Sequence, residues 1–235
     1  MAARRRSRGG PLSLVLIVII VAVAFWFAGR TGDADAAGAP AGQGPGAASV
    51  DSAALTAAVL ALPAAGATAP GYERDLFGDG WKDPDRNGCD SRNDILARDL
   101  TAVTFREGTH DCVVLSGVLR DPYTATTIDF VRGDSTSEMV QIDHVVPLSW
   151  AWRYGAAGWD PAQRELFAND PDNLLAVDGP TNSSKSDSGP AEWLPPDSSY
   201  RCAYAARFTG VLTEYALPID EPDRSALLSI AASCA

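Results

Sequence analysis

Asp143 and His144 stand side by side at the end of a short β-prone run, Gln141-Ile142-Asp143-His144-Val145-Val146-Pro147. Asn173-Leu174-Leu175 follows, and then Asn182-Ser183-Ser184-Lys185-Ser186-Asp187. A carboxylate and a carboxamide oxygen are hard donors, suited to Mg²⁺ or Mn²⁺ that keep several waters. One neutral imidazole beside them can take a proton from water. Together these groups are the smallest set for one-metal hydrolysis of a phosphodiester. The chemistry needs a strand to deliver Asp143 and His144, a second strand beginning at Asn173, and a helix starting at Asn182. Neighbouring side chains on a strand face opposite ways. An irregular backbone at the strand end is therefore expected, aiming Asp143 at an ion and His144 at substrate.

Other chemistries are excluded by what is missing. His110 and His144 are the only histidines, and Lys82 and Lys185 the only lysines. Three-histidine zinc sites, His-Glu-x-x-His proteases and two-histidine phosphotransfer have no residues to use. The four cysteines contain no C-x-x-C pair, so a zinc ribbon or a thioredoxin-like motif is out. A Ser-x-x-Lys acyl enzyme ending at Lys185 needs serine where Asn182 stands, and no G-x-S-x-G occurs. His110, in a turn between Thr109 and Asp111, reads as a surface residue. Trp150, Trp152, Trp159 and Trp193 read as core aromatics.

The elements that would position the site follow from pattern and punctuation. Helices are expected over 53–62, 91–100, 149–154, 160–168, 199–215 and 220–232, with a short one opening at Asn182. Strands are expected over 112–119, 127–131, 139–142 and 173–177. Asp83-Pro84-Asp85-Arg86-Asn87-Gly88 and Asp121-Pro122-Tyr123-Thr124 are turns. No internal repeat is visible. The fold class is α+β with a small antiparallel sheet and flanking helices.

These residues resemble the HNH, or ββα-metal, endonuclease superfamily. They are most similar to the branch with an Asp-His-x-x-Pro first motif, which includes the C-terminal nuclease domain of GmrSD-type restriction enzymes. Gly71-Tyr-x-Arg-Asp-x-Phe-Gly-x-x-Trp81 and Phe167-Ala-Asn-Asp-Pro-x-Asn-Leu-Leu175 resemble stand-alone exported members of that branch. The resemblance runs from Tyr72 to Cys234. It implies a ββα-metal core with Asp143 as metal ligand and His144 as general base. Asn173 would hold the loop that orients His144, Asn182 would be the second metal ligand, and Lys185 would contact phosphate. One divalent ion is implied, Mg²⁺ first and Mn²⁺ second, with no organic cofactor. The partner implied is nucleic acid, DNA ahead of RNA, cut with little sequence preference. Arg92, Arg98, Arg153 and Arg164 are candidates for a local basic surface. Two departures stand out: the cysteine knuckles that frame many HNH motifs are absent, and Asn182 occupies a position where histidine is the stronger ligand. The rival reading is a non-catalytic cell-envelope binding module with a decayed nuclease site.

Arg4, Arg5, Arg6 and Arg8 precede an apolar run over 12–28 broken only by Ser13. Its length lies between a signal-peptide core and a comfortable membrane span. Trp26 and Phe27 suit a membrane interface and favour an uncleaved anchor, while Ala34-Asp35-Ala36 offers a late cleavage site. On either reading residues 31–235 are extracytoplasmic. The chain divides into an anchor or signal (1–30), a Gly/Ala/Pro tether (31–50) and one nuclease-like domain (51–235). The formal net charge is −11, with 19 basic and 30 acidic residues. Five arginines precede Thr31, so the exported part keeps 14 basic residues against all 30 acidic ones, a net −16. Such a chain does not coat nucleic acid non-specifically. Cys89, Cys112, Cys202 and Cys234 are expected to form two disulfides in an oxidising compartment. Three pairings are open, and proximity along the chain favours Cys89–Cys112 and Cys202–Cys234.

Overall fold

The structure, a computed structural model, describes residues 50–133 and 136–234. The apolar run at 12–28 and the proposed cleavage site at 34–36 lie outside the described residues. Among the described residues, no helix is long and apolar enough to cross a membrane.

Among the described residues, seven α-helices and five strands form an α+β fold. Helix α1 (Ser52–Ala61) is followed by α2 (Ser91–Asp99) and the antiparallel sheet β1 (Leu100–Phe105), β2 (Val114–Arg120) and β3 (Thr127–Val131). Then come β4 (Val140–His144), α3 (Leu148–Arg153), α4 (Pro161–Ala168), β5 (Leu174–Asp178), α5 (Gly179–Lys185), α6 (Arg201–Glu214) and α7 (Glu221–Ala231). β4 and β5 pair antiparallel as a separate two-stranded sheet. The expected single sheet is thus two. Leu100 opens a strand rather than closing a helix: its backbone is extended and it pairs with Leu119, while the register of β1 breaks further on, around Ala102 at φ +50°.

Part of the acidity of the chain is spent on helix starts. Asp51, Asp90, Asp160, Asp178 and Asp220 each precede a helix and accept a main-chain N–H three residues on. This satisfies donors that the helix cannot satisfy itself and sets negative charge against the helix dipole.

The β4–β5 hairpin is a partition between two cores. Leu174 and Ala176 pack with Val140, Ile142, Ile95, Leu96, Val114 and Phe130. Leu175 and Val177 belong to the larger cluster around Trp150, Phe167, Tyr204 and Phe208. Burial on both faces explains why 173–177 reads as an unbroken apolar run rather than an alternating one. Helix α5 folds directly back over this hairpin. The close approach requires Gly179, since a Cβ there would collide with the Glu138 carbonyl.

Two disulfides brace the ends: Cys89–Cys112 ties the start of α2 to the approach to β2, and Cys202–Cys234 clips α6 to the end of α7. No cysteine is left free.

Candidate active site

β4 stays paired with β5 to its last residue, with Asp143 opposite Leu175 and His144 opposite Leu174. The irregular strand end expected from the sequence does not occur, so the alternation of side chains holds. Asp143 meets Tyr123 and Lys185, while His144 meets Trp81 and Ala168.

His144 is 8% exposed. Its Nε2 lies 2.8 Å from the Ala168 carbonyl oxygen. A carbonyl only accepts, so Nε2 carries the proton and Nδ1 of the neutral ring keeps its lone pair. Burial, with the nearby cations Arg74 and Lys185 adding to it, holds the imidazole down to about 4. The indole of Trp81 lies nearly parallel to the ring, 5.9 Å between centroids at 11°. This histidine is neutral at neutral pH, fixed in one tautomer, and chemically a base.

Asn173 is fully buried and grips the chain beyond His144. Its Oδ1 accepts from Val146 N–H at 2.8 Å, and its Nδ2 donates to the Val146 carbonyl at 3.2 Å. Its own carbonyl accepts from Val145 N–H at 2.8 Å. Three hydrogen bonds from one residue fix the exit of the strand.

Asp143 and Lys185 form a buried ion pair. Lys185 Nζ donates to Asp143 Oδ1 and to the His144 carbonyl, both at 2.9 Å, and Lys185 has no exposed surface. The Tyr123 hydroxyl donates to Asp143 Oδ2 at 2.6 Å. Tyr123 itself is caged by Trp193, Tyr200 and Tyr204. It is delivered by a turn that Asp121 organises, accepting from Thr124 and from Asp178 N–H. Burial raises the Asp143 carboxyl, and the Lys185 ammonium pulls it back down.

The geometry bears on two expectations. Lys185 is not placed to contact phosphate, because it is sealed from solvent. Asp143, expected as an ion ligand, is instead met by an internal donor on each oxygen, one of them an ammonium that already balances its charge. Asn182 lies within α5, which begins at Gly179 rather than at Asn182. Its Nδ2 donates to Gln141 Oε1 at 2.9 Å, and Oδ1 is the atom that could ligate an ion. Among the described residues, no three His, Cys, Asp or Glu side chains gather to hold a metal.

The four arginines each bind main-chain carbonyls, and Arg98 and Arg153 also pair with the carboxylates of Asp99 and Asp187. Arg92 reaches Val140, Arg153 reaches Asp187, and Arg164 reaches Leu76 and Trp159. Arg98 reaches Pro171 and Leu174. Arg207 joins Arg98 there, donating to Pro171, Asp172 and Leu174, so two cations hold the outside of the loop whose inside carries Asn173. The sequence reading missed Arg74, an exposed cation beside His144, and Trp81, which covers it. Both stand in the Gly71…Trp81 stretch, which the resemblance picks out without giving either residue a role.

Residues 90–229 match the family described as GmrSD restriction endonucleases, C-terminal domain. An uncharacterized secreted protein of Arthroderma benhamiae is 39% identical over 166 residues, covering 70% of this chain and 76% of the relative. No solved structure matches.

Proposed function

Since the chain belongs to the family of GmrSD restriction endonuclease C-terminal domains, we propose that it is an exported endonuclease hydrolysing nucleic-acid phosphodiesters with His144 as general base. The observation that carries this reading is the neutral imidazole held by the Ala168 carbonyl, with Asn173 fixing the main chain beside it. Nδ1 takes a proton from water as the water oxygen bonds to phosphorus. The bond from phosphorus to the 3′ oxygen breaks, and that oxygen takes a proton from solvent. The products carry 5′-phosphate and 3′-hydroxyl ends. Arg74 is the side chain available to meet the phosphate beside the base.

DNA is the favoured substrate, supported by the family's description as restriction endonucleases. Export is supported by the secreted relative, by the two disulfides, and by an arginine-led apolar run that would act as anchor or signal. The family implies a divalent ion, Mg²⁺ or Mn²⁺. With Asp143 held by Lys185 and Tyr123, no step of this scheme runs through one.

The test is incubation of the purified protein with plasmid DNA and with RNA, each in Mg²⁺, Mn²⁺ or EDTA, beside His144→Ala. Nicking of DNA that His144→Ala loses supports the proposal. A folded His144→Ala protein that cuts at the wild-type rate ends it. Loss of nicking in EDTA would show that the reaction needs the family's divalent ion.

A further inference from the structure

The pairing of Asp143 with Lys185 has a function of its own. We infer that Lys185 is a positioning residue for His144, and that Asp143 is its buried counter-ion rather than a ligand; the catalytic part of this inference rests on the nuclease reading above.

The ammonium of Lys185 makes two hydrogen bonds of 2.9 Å, one to the Asp143 side chain and one to the main-chain carbonyl of His144. The second bond fixes the peptide group that follows the base. The next two peptide groups are fixed by Asn173, through Val145 N–H and through both polar atoms of Val146. Residues 144–146 are thus held in a continuous run, by Lys185 at one end and Asn173 at the other.

A lysine can be sealed in this place only if its charge is met there, since an unpaired buried ammonium is strongly unfavourable. Asp143 supplies that charge from the neighbouring position on the strand. Tyr123 occupies the remaining carboxylate oxygen, so the pair is closed on every side the structure describes. The lysine is brought there by α5, of which it is the last residue. Ser186 follows at φ +52°, ending the helix as the side chain reaches β4. A phosphate contact or an ion ligand would need an exposed face, and this pair has none: side-chain exposure is 0% for Lys185 and 5% for Asp143.

The two roles predict different kinetics. A lysine that touches phosphate contributes binding, so its loss raises KM and lowers the slope of log affinity against log salt by about 0.9 on duplex DNA. A lysine that positions the base contributes only to the chemical step, so its loss lowers kcat and leaves KM and the salt slope alone.

The experiment compares Lys185→Met, Asp143→Asn and the double variant with wild type in the full-length protein. Four readouts are used: the urea midpoint, Mn²⁺ binding by calorimetry, kcat and KM on plasmid DNA, and the slope of log DNA affinity against log salt. Each single variant is expected to lower the urea midpoint by leaving one charge or one donor unmatched. The double variant, which removes both charges, is expected to recover most of the loss. The double variant is also expected to bind Mn²⁺ as wild type does, and Lys185→Met to lose kcat at constant KM. Loss of Mn²⁺ binding in both Asp143 variants, with the wild type binding, would overturn the inference and restore Asp143 as a ligand. A raised KM with a flatter salt slope in Lys185→Met would restore the phosphate contact. If either single variant fails to fold, the double variant still decides through Mn²⁺ binding and the midpoint. If wild type neither cleaves nor binds Mn²⁺, the nuclease reading has failed. The double-variant midpoint then stands alone: recovery supports the buried pair, and no recovery removes it.

Discussion

Ala168 and His144, 24 residues apart in the chain, share the hydrogen bond that decides which nitrogen of the ring is basic. The Ala168 carbonyl claims the proton on Nε2 and leaves the lone pair on Nδ1. Removing the ring should therefore abolish the base without disturbing the pair between Asp143 and Lys185. His144→Ala is expected to lower cleavage by roughly 10²–10⁴-fold, the range for loss of a general base. Far-ultraviolet circular dichroism on the same sample checks that the fold survives.

The pH dependence follows from the depressed imidazole. With the folded value near 4, the base stays unprotonated well into the acid range, so the acid limb of kcat/KM is expected near 4 rather than 6.5. Trp81→Ala uncovers the ring and removes part of the burial that is the largest cause of the shift. Its acid limb should move upward toward the unperturbed value, while Trp81→Phe stays close to wild type. A limb that does not move in Trp81→Ala would show that the indole does not set the environment of His144.

Stability carries the same signature with a definite sign. His144 binds a proton near 6.5 when unfolded and near 4 when folded. Its contribution is therefore fully present above about 6.5 and is lost as pH falls from there to about 4, amounting to about 3 kcal/mol in all. Urea midpoints measured across this window should fall less steeply in His144→Gln than in wild type.

Asn173 should tolerate no substitution. Asn173→Ala leaves the N–H and the carbonyl of Val146 unpaired in the interior, expected to cost about 2–5 kcal/mol. Asn173→Asp keeps the acceptor but sets an oxygen against the Val146 carbonyl, so it should be at least as damaging. Comparing both by urea unfolding separates the donor half of the contact from the acceptor half.

The disulfides close segments with sequence separations of 23 and 32, each stabilising by about 3–4 kcal/mol on chain-entropy grounds. Peptide mapping without reduction should recover the Cys89–Cys112 and Cys202–Cys234 peptides. Replacing either pair by alanines should lower the unfolding midpoint, and reduction of the wild type should lower it further than either.

What the sequence disclosed was local. Asp143-His144 at a strand end, the apolar run after Asn173 and the cysteines nearest in the chain are all short-range patterns, and the structure contains the corresponding elements. What it concealed depends on packing between distant segments. Whether Lys185 meets water or Asp143 is decided by how α5 folds over the hairpin, which turns on Gly179 and the Asp178 cap. The occupant of the second Asp143 oxygen comes from a turn 20 residues away. The arginines looked like surface charge because their targets are main-chain carbonyls, which no residue type announces. Strand β1 was lost because Ala102 interrupts its pairing in a left-handed conformation.

Helix α1 has a bearing on the order in which the molecule can be completed. Ser52 Oγ donates to the Ala231 carbonyl across 179 residues, and Arg224 closes the other end of α1 on the carbonyls of Val59 and Leu62. Leu55 and Val59 are buried in the same cluster as Leu227 and Ile230. A chain delivered amino end first thus holds α1 without its α7 contacts until the last of the described helices arrives. Until then the apolar side of α1 is open to chaperones and to other chains. A truncation that spares every residue near His144 but removes α7 would leave this first helix stranded, and loss of solubility should precede any loss at the base.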